Sequence, residues 1–242
     1  MQMNSEKGSP PSIVILTGAG ISRESGLDTF RDADGIWARV NIEDVATPEG
    51  FARHPKKVQE FYNLLRRRLL SEAIKPNVAH LALAKLEREW TSEVTIITQN
   101  IDDLHERAGS VNILHMHGEL LKARCGGCGY VISCCEDLST TTVCLVCDSL
   151  GLMRPHVVWF GEIPMEINRI NQAVSQCGIF IAIGTSGNVY PAASLVEKAR
   201  FNAAHTVELN LEPSLRASKF AEKVYGPATE IVPEYIHRLL QN

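Results

Sequence analysis

Unbroken apolar runs a few residues long recur along the chain, separated by stretches in which apolar positions return every three or four residues. The runs are SIVILT (12–17), VTIIT (94–98), NILHMH (112–117), IFIAIGT (179–185) and HTVELN (205–210). A strand that is apolar on both sides needs cover on both faces, the condition of a parallel sheet wrapped by helices. The pattern predicts an α/β fold. Helices are expected over 77–90, where Leu81, Ala84 and Leu86 form an apolar stripe, over 191–204, opened by a proline suited to a first helical turn, and over the closing segment from Val232. Two stretches break the alternation: 31 to about 75, strongly helical around PKKVQEFYNLLRRRLLSEAI, and the cysteine-rich 121 to about 153. Both are expected to leave the sheet and pack together as a smaller lobe. The sheet-bearing domain then spans 12–242 behind a flexible tail, 1–11.

Composition narrows the function classes. At 242 residues and 45% hydrophobic content the chain fills a proper core. A net charge of −4 supplies no diffuse basic field, so direct nucleic-acid binding is not expected. The longest apolar runs reach five residues, as in IFIAI, far short of the roughly 20 that cross a bilayer. No membrane association is expected. The start, MQMNSEKGSPPS, has neither an apolar stretch nor a small-residue cleavage site, which points to the cytoplasm. Six of the seven cysteines crowd between Cys125 and Cys147, not the even framework of a secreted disulfide scaffold.

Cys125-x2-Cys128 and Cys144-x2-Cys147 have the spacing of a four-thiolate zinc site, in which two tight turns each offer two sulfurs. Four sulfurs leave no open position, so one structural zinc ion is expected. Cys134 and Cys135 match no ligand spacing and read either as small residues of the loop or as thiols with a redox or alternative-ligand role, and Cys177 reads as a small core residue.

Small or polar residues follow four of the runs: GAG at 18–20, TQNID at 98–102, GTS at 184–186 and NLEP at 210–213. Ligands of open α/β sheets bind beyond the carboxyl ends of the strands, so these clusters converge on one crevice. Gly18-x-Gly20 alone is weak, because the dinucleotide fingerprint fails at Arg23. His117 reads either as a core histidine satisfied by hydrogen bonds or as a general base working near neutral pH. Its place at a strand end beside the crevice favours the base. His115 shares its parity but lies deeper and reads as structural.

As an ordered set, GAGIS, TFRDADGIW, TQNID, HGEL, the two cysteine pairs, VVWFGE, GTS and NLEP resemble the sirtuins, NAD-dependent protein-lysine deacylases. The match runs from about Ile13 to the C-terminus, and ESG, TFR and FYN are similar to the bacterial and mitochondrial branch that includes desuccinylases. The resemblance implies a Rossmann-like large domain, a smaller zinc-binding and helical lobe, and a cleft for NAD and an acyl-lysine protein or peptide. It implies NAD contacts from Gly18, Ala19, Gly20 and Ile21, from Phe30, Arg31 and Trp37 in a loop over the cofactor, and from Gln99, Asn100, Ile101 and Asp102. Gly184, Thr185, Ser186, Asn210, Leu211, Glu212 and Ala228 resemble the adenosine side. Tyr62 corresponds to an acyl-reading tyrosine, and Val158, Trp159, Phe160 and Gly161 to the strand that pairs with substrate backbone. His117 and Asn100 are the implied catalytic residues, and nicotinamide and O-acyl-ADP-ribose the implied products. A monomer is expected.

One departure matters. Desuccinylases read an acidic acyl group with Tyr-x-x-Arg, whereas here Leu65 stands three residues after Tyr62 and the first arginine is Arg66. Leucine offers a carboxylate nothing, so desuccinylation is expected to be weakened unless Arg66 swings in. Arg67 and Arg68 read as a solvated helix face. A further departure is Arg23, which either points outward or adds a cation near the phosphates. Two rivals remain at this stage: mono-ADP-ribosyl transfer at the same site, and a zinc-stapled module that binds NAD or acyl-lysine without turnover.

Overall fold

The structure, a computed structural model, describes residues 9–29, 32 and 35–241. Phe30 and Arg31 lie outside the described residues, as does most of the expected tail. In chain order the elements are β1 (Ile13–Thr17), α1 (Gly20–Arg23), α2 (Ile42–Val45), α3 (Pro48–Arg53), α4 (Pro55–Leu69), α5 (Val78–Glu89), β2 (Val94–Thr98), α6 (Leu104–Ala108), β3 (Ile113–His115) and β4 (Gly118–Cys125). They continue with β5 (Val131–Ser133), β6 (Met153–Val157), α7 (Ile167–Gln176), β7 (Ile179–Ile183), α8 (Leu195–Phe201), β8 (His205–Asn210), β9 (Glu222–Tyr225) and α9 (Ala228–Leu240).

Six strands form a parallel sheet in the order β3-β2-β1-β7-β8-β9. Successive side chains of a strand point to opposite faces, and the two cores follow that alternation. Ile13, Ile15, Ile96, Ile181, Ile183, Val207 and Leu209 pack on one side with Leu83 and Leu86 of α5 and Val232 and Ile236 of α9. Val14, Leu16, Ile97, Phe180 and Ala182 pack on the other with Ile170 and Val174 of α7 and Leu195 and Val196 of α8. This is the doubly covered sheet expected from the unbroken apolar runs.

A second, three-stranded antiparallel sheet, β5-β4-β6, carries the cysteine-rich stretch. Its central strand β4 begins at Gly118 and its outer strand β6 runs to Val157, wider than the 121–153 expected. Helices α2, α3 and α4 fill the other departing stretch, and a third cluster joins Val58, Phe61 and Tyr62 of α4 to Leu120, Val157 and Trp159. A fourth, small cluster gathers Ala123, Cys125, Cys134, Leu138, Cys144 and Met153.

Several local readings change. Leu81 is half exposed, and the buried stripe of α5 is Ala79, Leu83, Ala84 and Leu86. The segment has apolar residues on nearly every side, so only contact with α9 and the sheet decides its phase. The helix expected over 191–204 begins with a single 3-10 turn at Ala192–Ser194 before α8, and α9 starts at Ala228, ahead of Val232. Strand β3 ends at His115, so His117 sits in the two-residue junction before β4 rather than at a strand end. The segment Val158 to Gly161 lies beyond β6, outside any strand.

Candidate active site

The central strands β2, β1, β7 and β8 are adjacent and parallel, so residues following Thr98, Thr17, Ile183 and Asn210 meet along one edge of the sheet. The backbones there are packed tightly. The Gly18 amide donates to Ile183 O and the Gly20 amide to Gly184 O, each at 3.0 Å. A Cβ on Gly20 would stand 2.7 Å from Gly184 Cα, and one on Gly184, whose φ is +61°, 2.6 Å from the Ile21 amide nitrogen. Glycine at these positions is therefore demanded by the approach of two loops to each other. Asn210 Nδ2 donates to Thr185 O at 2.8 Å, which ties the β7 and β8 ends together.

Under this rim lies a buried polar network. Asn100 Nδ2 donates to Gly18 O and to Ser22 Oγ, each at 3.2 Å, while Ser22 Oγ donates to Asp102 Oδ2 at 3.0 Å. Asp102 also accepts from the Leu104 amide at 3.1 Å. Burial raises its carboxyl to about 6 despite those two donors. Thr17 and Thr98 stand in register on β1 and β2 and join hydroxyl to hydroxyl at 2.9 Å, with His105 Nε2 3.0 Å from Thr17. His80 Nε2 approaches Ser22 Oγ at 3.5 Å, and burial depresses both histidines, His80 to about 4. Ser22, Thr17, His80 and His105 were not singled out in the sequence. The only local sign was a threonine closing each of the strands β1 and β2.

His117 Nδ1 lies 3.0 Å from Gln99 O. A carbonyl only accepts, so Nδ1 carries the proton and Nε2 keeps its lone pair. Burial lowers the imidazole below the ordinary 6.5, against the opposing pull of the Gln99 carbonyl. The ring is thus held as a neutral base next to the residue preceding Asn100. His115 is tied instead to Glu106 at 2.5 Å, and Glu119 to Lys122 at 2.6 Å, so the cluster Glu106, His115 and Glu119 has its charges paired already.

The residues implied for substrate form a separate aromatic group. Tyr62 is 2% exposed and its hydroxyl accepts from Trp159 Nε1 at 2.9 Å. Phe51 lies 5.3 Å from Trp159, and Trp37 packs edge-on against Phe61 at 5.0 Å. Arg154 stacks on Trp159 at 3.2 Å and pairs with Glu162 at 2.7 Å, and Glu162 also accepts from the Trp159 amide at 2.8 Å. Val158 donates its amide to His117 O and Phe160 to Ala46 O, so the amides of these three residues are committed within the chain. The Phe160 ring remains half exposed.

The arginine run divides three ways. Arg66 is fully buried and donates to Leu120 O at 3.2 Å and Asn63 Oδ1 at 2.8 Å. Arg67 and Arg68 lie on the solvated face expected of them, Arg67 pairing there with Asp137 at 2.6 Å and the half-buried Arg68 with Asp28 at 2.7 Å. Arg23 points outward, half exposed, and pairs with Asp32 at 3.1 Å.

The sulfurs of Cys125, Cys128, Cys144 and Cys147 lie within 4.8 Å of one another, with 3.7 Å between Cys125 and Cys147 and between Cys128 and Cys144. Four sulfurs about 2.3 Å from a tetrahedral zinc stand about 3.8 Å apart, so the set fits a structural zinc ion. The Ser149 hydroxyl lies 3.3 Å from Cys125 Sγ and 3.1 Å from Cys147 Sγ, placed to donate to thiolates. Cys134 is buried and Cys135 exposed, both outside this set, and Cys177 is a buried core residue. Among the described residues no helix is long and apolar enough to cross a membrane.

Known proteins share this arrangement. The family model described as the Sir2 family matches residues 18–191, from the first glycine of the crevice past the β7 loop. The chain belongs to the Sir2 family. A relative from Vibrio cholerae serotype O1, called an NAD-dependent protein deacylase, is 58% identical over 228 residues, 94% of this chain and 93% of that protein. A solved Sir2 homologue–NAD complex is 37% identical with a TM-score of 0.86, covering 95% of this chain and 90% of the other. A Sir2 homologue mutant in complex with 2′-O-acetyl ADP ribose is 35% identical, with a TM-score of 0.86 over 95% of this chain and 92% of the other. For this Sir2 chain the α/β sheet and the thiolate set follow the sequence-based expectation.

Proposed function

We propose that this Sir2 protein is an NAD-dependent protein-lysine deacylase that passes the acyl group of a modified lysine to ADP-ribose. The observation that carries the reading is His117, a neutral imidazole with Nε2 free to accept a proton, held by Gln99 O beside the Asn100–Ser22–Asp102 network. NAD supplies the ADP-ribosyl acceptor and nicotinamide as its leaving group. The residues expected to hold it are those of the strand-end clusters, where Gly18, Gly20 and Gly184 let the two loops pack too closely for a side chain at those positions. Asn100, fixed by Gly18 O and Ser22, and Asp102 orient polar groups at the base of the crevice. His117 Nε2 takes a proton from a hydroxyl presented there, turning it into a nucleophile. The aromatic group of Tyr62, Trp159 and Phe51 keeps water from the acyl chain. Acyl-lysine-bearing proteins are the partners.

On acyl choice we infer a preference for acetyl over succinyl. Leu65 is packed into the third cluster and carries no cation, and both donor contacts of Arg66 hold it inside the fold. Leu65, at the position three residues after Tyr62, offers a succinyl carboxylate no donor. The test is turnover of one peptide carrying acetyl-lysine or succinyl-lysine, with His117→Ala as control. Acetyl-lysine is expected to turn over with NAD, His117→Ala to lose about 10²–10⁴-fold, and succinyl-lysine to run roughly tenfold slower. Equal efficiency on both would refute the acyl preference, and radiolabelled ADP-ribose fixed to protein without acyl loss would put ADP-ribosyl transfer in its place.

A further inference from the structure

The two residues implied for catalysis lie on a stretch of chain that doubles back on itself. From Thr98 it passes Asn100 and Asp102, turns through α6 and returns along β3 to His117. The ladder between β2 and β3 runs no further than Thr98 opposite His115, with the Met116 amide donating to Thr98 O at 3.0 Å. Past it, His117 reaches the loop through Nδ1 on Gln99 O. Helix α6 has five residues and no side-chain cap at its start, too short to hold its own shape in water. Contacts from outside fix it: Leu104 is fully buried, His105 Nε2 meets Thr17, and Glu106 Oε1 lies 2.5 Å from His115 Nε2. The last contact ties α6 to the strand that leads to His117. The His115 side chain is 11% exposed and that of Glu106 40%.

We propose that Glu106 and His115 are positioning residues, whose ion pair closes the loop from Thr98 to His117 and so holds the His117 imidazole in its working place beside Asn100. The proposal rests on the reading of His117 as the base. A general base must keep its lone pair within hydrogen-bond reach of the proton it takes, and a displacement of about 1 Å costs up to about 10²-fold in rate. Each group of the pair is engaged by the other, so the pair acts on turnover through His117 and not on the binding of NAD or peptide. The charged and titratable groups around His115 are Glu106 and His105 of α6, Glu119 of β4 with Lys122 bonded to it, and Asp102. Burial pulls the His115 imidazole down, but the bond to Glu106 and the three carboxylates outweigh it and leave it above the ordinary 6.5. Its Nδ1 is buried with no partner among the described residues, so that nitrogen gives up the proton as pH rises, while Nε2 keeps a weaker bond to Glu106.

The test compares wild type, Glu106→Gln, His115→Gln and the double variant by steady-state deacetylation of an acetyl-lysine peptide, by Tm and by the NMR signal of the His117 imidazole. Because Glu106 is partly exposed and its charge screened, each single variant is expected to lower kcat only about three- to tenfold. KM for NAD and for peptide should stay within about twofold, and the double variant should be no slower than the slower single. The ratio of wild-type to His115→Gln kcat should shrink, without reaching one, as pH rises from about 6.5 to about 9 and the His115 imidazolium discharges. His117, lowered below 6.5, is neutral across that range in both proteins. Unchanged kcat in Glu106→Gln would overturn the proposal. So would a ratio that stays flat with pH beside a lowered Tm and equal losses in every parameter, the mark of a purely structural contact. Should His115→Gln fail to fold, Glu106→Gln decides by the same kcat and KM readings. Wild type without NAD-dependent deacetylation would defeat the proposed activity. The His117 signal then decides the pair, displaced in Glu106→Gln if the pair positions the ring and unmoved if it does not.

Discussion

Single side chains in this protein take their roles from what they touch far along the chain. His117 is poised as a base because Gln99 O, 18 residues earlier, fixes its tautomer. Its depressed imidazole places the acidic limb of the kcat/KM profile below pH 6.5, with activity falling as pH drops through it. Asp102 carries a separate, opposite dependence. Its folded value of about 6 stands above the ordinary 3.8, so the folded state holds this proton more tightly, and stability from this group is lost as pH rises from about 4 through 6. Asp102→Asn removes that term. Between pH 4 and pH 7 the stability difference should shift towards the variant by on the order of 2 kcal/mol, read from denaturant unfolding at each pH. A difference that stays constant over that range would show the carboxyl is ionised throughout. The Asn100 and Asp102 positions were legible in TQNID, but their partner Ser22 was not. A serine after a glycine turn is commonplace, and only folding brings it within 3.2 Å of both.

At the level of elements the sequence pattern was clearest where periodicity had one solution. The short apolar strands could only be covered on both faces, and they are. Helix α5 had several solutions, because alanines and leucines surround its axis, and of the expected stripe Ala84 and Leu86 are buried while Leu81 faces outward. Leu83→Ala should cost about 2–5 kcal/mol, since Leu83 is fully buried between the sheet and α9, whereas Leu81→Ala should stay within about 0.5 kcal/mol. Chemical denaturation of both variants checks this, and equal costs would contradict the packing. The arginine run on α4 shows the same limit. Three adjacent basic residues look alike in sequence, yet helical geometry turns them about 100° apart, towards β4, the zinc loop and the Asp28 segment in turn.

Across the whole molecule, α4 stitches the zinc-bearing stretch to the rest. Gln59 donates to Met153 O at 2.6 Å, beyond the second cysteine pair, and Asn63 exchanges hydrogen bonds with Leu138, between the two pairs, at 2.8 and 2.9 Å. The small cluster there contains two of those cysteines and little else apolar, so the metal bond must supply much of its order. The two cores on the six-stranded sheet include none of the four. Stripping zinc with a chelator, or Cys144→Ser, should lower Tm and cut deacetylation at least tenfold while most far-UV circular dichroism persists. Full activity in protein shown to be free of metal would exclude this dependence.

The amino-acid sequence alone determined what depends on local spacing. The strands and their polar ends, the paired Cys-x2-Cys turns and the departure at Leu65 can all be read within a few residues of chain, because strand period, turn geometry and ligand spacing are short-range properties. The tertiary structure decided what depends on distant neighbours: the buried face of α5, the tautomer of His117, the Ser22–Asn100–Asp102 network, and the separate partners of Arg66, Arg67 and Arg68. Each is a contact between segments 18 or more residues apart, and its hydrogen-bond partner or packing surface exists only once the fold has brought those segments together.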